Sequence, residues 1–189
     1  MLKIMVAGGF GVGKTTFIGA ISDIEPLVTE EVLTESSAGF DNLAGLTDKV
    51  TTTVAFDFGS LIVDSGDGLL ELLLFGTPGQ ARFADYWHDL SRGAVGVVIL
   101  ADTRRLDISF PALTFSEQAG LPHIIAVNEW DGSYRYPMHD VRQALRLHPS
   151  IPMVTCDARE RSSVRDSLLC LVKHALTFTP PATSRLDAR

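Results

Sequence analysis

Cysteine is scarce in this sequence. Cys156 and Cys170 stand alone among 189 residues, with no C-x-x-C pair. That excludes a disulfide scaffold and a thiolate zinc site, and it fits a reducing compartment. Positive charge is also short: 16 Lys and Arg face 23 Asp and Glu, a formal net charge of −7. No basic stripe is available to displace counterions from a nucleic acid or to grip an anionic lipid surface. The five histidines are scattered without metal-ligand spacing. No apolar run approaches the ~20 residues of a bilayer-spanning helix. No leader peptide, N-terminal Met-Gly or C-terminal prenylation cysteine is evident. The expectation is a cytoplasmic protein that binds no nucleic acid, has no direct membrane anchor, and reaches a membrane only peripherally, through partners.

What is present begins at once. Residues Gly8-Gly9-Phe10-Gly11-Val12-Gly13-Lys14-Thr15 form a complete G-x-x-x-x-G-K-[ST] phosphate-binding loop. The loop turns successive backbone N–H groups around a phosphate, Lys14 reaches the outer phosphates, and the Thr15 hydroxyl suits Mg²⁺. The apolar run Leu2–Ala7 precedes it as a strand. Thr16 and the residues after it open a helix whose positive end faces the anion.

Strand-like runs recur at Thr53–Phe58, Leu69–Phe75, Ala94–Ala101, His123–Val127 and Ile151–Thr155. Val164, Leu168, Leu171, Val172 and Ala175 follow helical spacing. This alternation, with the P-loop at its start, predicts an α/β fold with a doubly wound sheet. About six mostly parallel strands are expected, with one antiparallel edge strand. The cluster Asp64-Ser65-Gly66-Asp67-Gly68 reads as a hairpin turn. One domain is expected over residues 1–177, with a loose tail over 178–189. Within it, residues from about 25 to 52 are acidic and small, with no strong strand. So long a connection is either functional or a solvated surface loop.

Later motifs narrow the chemistry. At a strand end, Phe75-Gly76-Thr77-Pro78-Gly79-Gln80 places a backbone N–H (Gly79) for the γ-phosphate and an amide (Gln80) to orient water. Ala126-Val127-Asn128-Glu129-Trp130-Asp131 pairs an Asn with an Asp three residues on. The Asp131 carboxylate can accept two N–H bonds from guanine, which adenine cannot supply, while Asn128 braces the site. In Thr155-Cys156-Asp157-Ala158-Arg159, the Ala158 N–H suits the guanine carbonyl, and Asp157 either caps the next helix or contacts the base.

In order, GGFGVGKT, TTTVAFDF, GTPGQ, NEWD and CDAR cover nearly the whole chain and resemble a Ras-superfamily small GTPase. More closely they resemble the bacterial branch of MglA-type polarity GTPases and actinobacterial conservon GTP-binding proteins, to which Ala101–Leu106 and Phe110-Pro111-Ala112 also point. The resemblance implies GTP and GDP as substrate and bound ligand, and Mg²⁺ held by Thr15 and Thr53. It makes Gln80, Lys14 and Thr53 catalytic, and Asn128, Glu129, Asp131, Asp157 and Ala158 nucleotide-binding. It further implies a Roadblock-type regulatory partner and a sensor-kinase-like membrane complex.

Departures from the pattern temper the expected activity. Gly76 stands where most GTPases keep the Mg²⁺-supporting Asp, and Glu129 replaces a Lys that packs on the base. Phe10 crowds an arginine finger, and Lys49 is the only basic residue between Lys14 and Arg82. The expectation is a slow switch needing partner stimulation through Gln80, Arg82 or Lys49, or else an inert nucleotide-bound interaction module. A small-molecule kinase fits poorly without an arginine cluster. Glu129 leaves adenine in play. The 39 residues from Lys14 to Thr53 suggest an enlarged first switch. Trp87 either packs in the core or meets a partner.

Overall fold

The computed structural model describes residues 1–34, 51–64, 66, 68–79 and 84–179. Its elements run β1 (Leu2–Ala7), α1 (Lys14–Ile21), β2 (Leu27–Thr34), β3 (Thr51–Asp64), β4 (Leu69–Gly76), α2 (Ala84–Ser91) and β5 (Ala94–Ala101). They continue with α3 (Phe110–Gln118), β6 (His123–Asn128), α4 (Met138–Ala144), β7 (Met153–Cys156) and α5 (Arg161–Thr177). The strands make one sheet in the order β2-β3-β4-β1-β5-β6-β7. Pairing is parallel from β4 through β1, β5 and β6 to β7. Only β3 runs against its neighbours. This is the doubly wound α/β sheet that the apolar runs imply.

Strand β1 is apolar and buried from Ile4 to Ala7 because helices cover both its faces, while Lys3 lies at its outer end. Side chains alternate across the sheet, so Ile4 and Val6 join one cluster with Phe17 and Ile18 of α1 and Val164, Leu168 and Leu171 of α5. Met5 and Ala7 join the other, with Trp87, Phe115 and Val141. The 164/168/171 stripe therefore does what its spacing predicts. Trp87 is a core residue, 2% exposed and edge-on to Phe115 at 5.4 Å. The turn between β3 and β4 is a hairpin, with the Asp64 carboxylate accepting the Gly66 N–H at 2.9 Å.

The acidic stretch holds a strand that its composition concealed. Residues Leu27–Thr34 form β2, paired antiparallel to β3 from Leu27↔Phe58 to Thr34↔Thr51. An edge strand bonded on one side accommodates Glu30 and Glu31 where a central strand would not. Residues 35–50 of the stretch lie outside the described residues, as does the tail from 180. Pairing of β3 with β4 begins at Asp57↔Gly76, so Thr51–Phe56 are bonded to β2 alone. A two-stranded ribbon thus continues past the carboxyl end of β4. Thr53 sits inside this ribbon opposite Val32, the third residue of β3 rather than its first. The carboxyl ends of β1, β4, β6 and β7 meet at one edge of the sheet, where a doubly wound fold builds its site.

Candidate functional site: a nucleotide cleft

The loop between β1 and α1 forms the floor of one end of the cleft. Gly13 caps α1 at φ 101°, a left-handed conformation that a side chain resists. A Cβ there would also approach Asn128 Nδ2 to 2.8 Å. Lys14 is buried, and its ammonium donates to the Gly8 and Gly9 carbonyls at 3.0 and 2.8 Å. Burial pulls its pKa down to about 8, partly opposed by the charge of Asp57. Gly79 rests on the same loop: a Cβ there would lie 2.7 Å from Phe10 Cα and 3.0 Å from Lys14 Nζ. The space above, about 410 Å³, is lined by Phe10, Gly11, Lys14, Thr15, Asp57 and Gly79 among others.

Asp57 is the residue the motifs did not single out. Its carboxylate accepts the Thr15 hydroxyl at 2.7 Å and is 8% exposed. It lies on β3 directly opposite Gly76, the position that lacks the usual Asp. A Cβ at Gly76 would come 2.9 Å from Asp57 Cβ and 3.1 Å from Asp57 Oδ2. The glycine is the room the carboxylate needs. Thr15 and Asp57 together offer the hard, closely spaced oxygen donors that suit Mg²⁺. Thr53 is four residues from Asp57 along an extended strand, about 13 Å at ~3.3 Å per residue. This conformation therefore does not bring it to Thr15.

The other end of the cleft, about 240 Å³, lies among Gly13, Thr16, Trp130, Asp131, Asp157 and Ala158. Asn128 is buried at the junction. Its Nδ2 donates to the Val12 carbonyl and its Oδ1 accepts the Ala158 N–H, both at 3.0 Å. Asn128 thus joins the loop after β1 to the turn after β7. The Ala158 N–H points to Asn128 and not into the cleft. Asp157 accepts the Arg159 N–H at 3.0 Å and both Nε and Nη2 of its side chain at 2.9 and 2.7 Å. Those bonds hold its pKa down to about 2. It thus serves the turn rather than capping α5, for which the cap residue is Glu160. Asp131 is also bound by Arg159, and its carboxyl is held below its ordinary range by that hydrogen bond and charge.

Glu129 pairs with Arg135 at 3.2 Å, which offsets the acid that replaces the usual Lys. Trp130 supplies a flat surface over which the Arg104 guanidinium lies at 4.1 Å. Arg104 is anchored by Asp102, which is fully buried. Burial pushes the Asp102 carboxyl up, but the bonds and charge of Arg104 outweigh this and hold it low. Arg105 Nη2 donates to the Phe10 carbonyl at 3.1 Å, and Phe10 itself is 71% exposed. Burial pushes both thiols up from their ordinary value. Gln80, Arg82 and Lys49 lie outside the described residues, as does the Thr53 side chain. Among the described residues, no group of three or more His, Cys, Asp or Glu could hold a metal by itself, and no helix is long and apolar enough to cross a membrane.

The chain is 23% identical over 189 residues to Ras-related protein Rab-1C of Dictyostelium discoideum, covering 95% of this chain and 83% of the relative. It is 25% identical over 195 residues to Ras-related protein Rab7 of Cenchrus ciliaris, covering 95% and 84%. Among solved structures, the cytosolic domain of the T. maritima FeoB iron transporter in its GMPPNP form superposes with a TM-score of 0.63 at 19% identity. The match covers 93% of this chain and 64% of that one, so this chain spans somewhat less than two-thirds of the FeoB domain. These likenesses support a nucleotide-binding protein of small-GTPase type. A family described as conserved hypothetical ATP-binding proteins matches residues 6–178, and to that family this chain belongs.

Proposed function

We propose that this protein is a guanine-nucleotide switch that hydrolyses GTP slowly. One observation carries the reading. The Asn128 amide ties the phosphate loop to the base-side turn, with Lys14 and Thr15 lining one hollow and Asp131 lining an adjoining one that shares Gly13, Thr16 and Trp130 with it. Lys14 and the loop amides stabilise charge on the transferring phosphoryl group. Gln80, next in sequence to Gly79, orients the attacking water. Thr15 and Asp57 would hold Mg²⁺, which supplies charge neutralisation at the phosphate oxygens. Thr53 joins them only if the β2–β3 ribbon shifts, and that shift is the nucleotide-dependent change offered to partners. Exposed Phe10 hinders an arginine delivered over the loop, so turnover by the isolated protein is slow.

The order of motifs resembles that of the MglA and conservon branch, and membership of that branch is the finer reading we propose. A Roadblock-type dimer is the proposed regulator, and a sensor-kinase-like membrane complex the setting. Single-turnover hydrolysis with and without a Roadblock-type protein separates the switch from an inert nucleotide-bound module. Phosphate release stimulated by the partner supports the switch; no release in either arm leaves only the module.

Adenine is the second reading, favoured by the family's description and by Glu129. Competition against labelled GDP decides between them. GTP is expected to displace it at concentrations at least about 100-fold below those of ATP, because a carboxylate built for two N–H donors rejects a base without them. Equal potency of ATP overturns the guanine assignment.

A further inference from the structure

Asp131 is the residue proposed to read the base, yet it is already engaged. Its side chain is 83% exposed and receives both arms of one guanidinium. Arg159 Nη1 donates to Oδ2 at 2.5 Å and Nη2 donates to Oδ1 at 3.0 Å. The same guanidinium is held again by Asp157, through Nε at 2.9 Å and Nη2 at 2.7 Å. A guanidinium is a planar fork of N–H donors matched to the two oxygens of a carboxylate. The N1–H and 2-amino edge of guanine is a fork of the same kind. One carboxylate cannot seat both in the same plane.

We propose that Arg159 imitates guanine at Asp131, so that base entry exchanges one donor fork for another and Arg159 sets the affinity for guanine. This rests on the reading of Asp131 as the base-reading residue. The contacts with Asp157 make the exchange local. The bond from Nε and the backbone N–H bond to Asp157 keep the Arg159 side chain at the rim of the cleft while its Nη groups leave Asp131. Arg104 does not take its place, because it is anchored by Asp102 and lies on Trp130. Adenine has no such fork. It leaves Arg159 on Asp131 and is indifferent to it.

The test is equilibrium binding of fluorescently labelled GDP and ADP to the full chain. It compares the parent, Arg159→Ala, Arg159→Lys, Asp131→Asn, and the double variant Asp131→Asn with Arg159→Ala. The exposed pair limits the expected effect to a tightening of about two- to fivefold for GDP in Arg159→Ala. ADP should change less than about twofold, because it does not compete with Arg159. The GDP gain should vanish in the double variant measured against Asp131→Asn. Arg159→Lys keeps a cation but not the fork, falls in between, and carries the test should Arg159→Ala fold poorly. If Asp131→Asn weakens GDP while Arg159→Ala leaves it unchanged or weakens it too, the imitation is overturned and the guanine assignment stands. If the parent binds ADP as tightly as GDP and Asp131→Asn alters neither, the guanine assignment fails and takes the imitation with it.

Discussion

The two ends of the cleft are built in opposite ways. At the phosphate end, the charged groups are buried and bonded to backbone or to each other: Lys14 to two carbonyls, Asp57 to Thr15. At the base end, Asp131 is largely and Arg159 half exposed, and their side chains are joined by ion pairs at the surface. Buried polar groups are costly to disturb and hold their geometry, whereas exposed pairs are screened by water and salt and exchange partners readily. On the reading proposed above, the contrast teaches that the anchor for the phosphates is prepared in advance, while selection of the base is left to groups that can move.

The largest break in this contrast comes from Lys14→Met. It removes the cation from the prepared end, and affinity for labelled GDP should fall at least about 100-fold, the scale of losing two or more charge-assisted bonds. Retained affinity would mean that the loop does not bind phosphate.

Gly76→Asp restores the residue most GTPases carry, yet here it should destabilise. A second carboxylate forced against Asp57 combines overpacking with like-charge burial, a loss of about 2–4 kcal/mol by denaturant unfolding. Adding Asp57→Gly to that variant exchanges the two positions. It should recover most of the stability, together with the Mg²⁺ dependence of GDP binding. No recovery would show that Gly76 and Asp57 are not a compensating pair.

The smallest effect is one of pH. Lys14 has a pKa of about 8 in the folded chain against 10.5 as its ordinary value. Between those values the unfolded chain carries the proton and the folded chain does not, so this group makes unliganded stability rise with pH across that window. Phosphate beside the ammonium raises the folded pKa, so binding takes up a proton. GDP affinity should then weaken above pH 8, by at most about tenfold per pH unit. Titration calorimetry in buffers of different ionisation enthalpy checks this, and the same protonation at pH 7 and 9 would refute it.

Much of the phosphate end is legible because it is local. Eight consecutive residues specify the loop, and flanking apolar periods place it between β1 and α1. Asp57 is not legible in that way. Its partner Gly76 lies across a strand pairing, and only the register Asp57↔Gly76 shows that one supplies what the other lacks. The signal available was a lone acid in the apolar run Val54–Phe58, read beside the missing Asp of the later motif. Strand β2 was hidden because an edge strand with Glu30 and Glu31 does not look apolar. The start of β3 was read late for a related reason: the strand begins at Thr51, two residues before the run counted from Thr53. At the base end, N-x-x-D located Asn128 and Asp131, but the engagement of Arg159 depends on where a long side chain points, which spacing does not encode.

The Asn128 amide has a mechanical consequence. Its donor grips Val12 and its acceptor grips Ala158, so the turn after β7 and the loop after β1 share one rigid rivet. Pulling either segment aside stretches one of these two bonds, and a binder that never touches the phosphates thereby gains leverage over how firmly they are clasped.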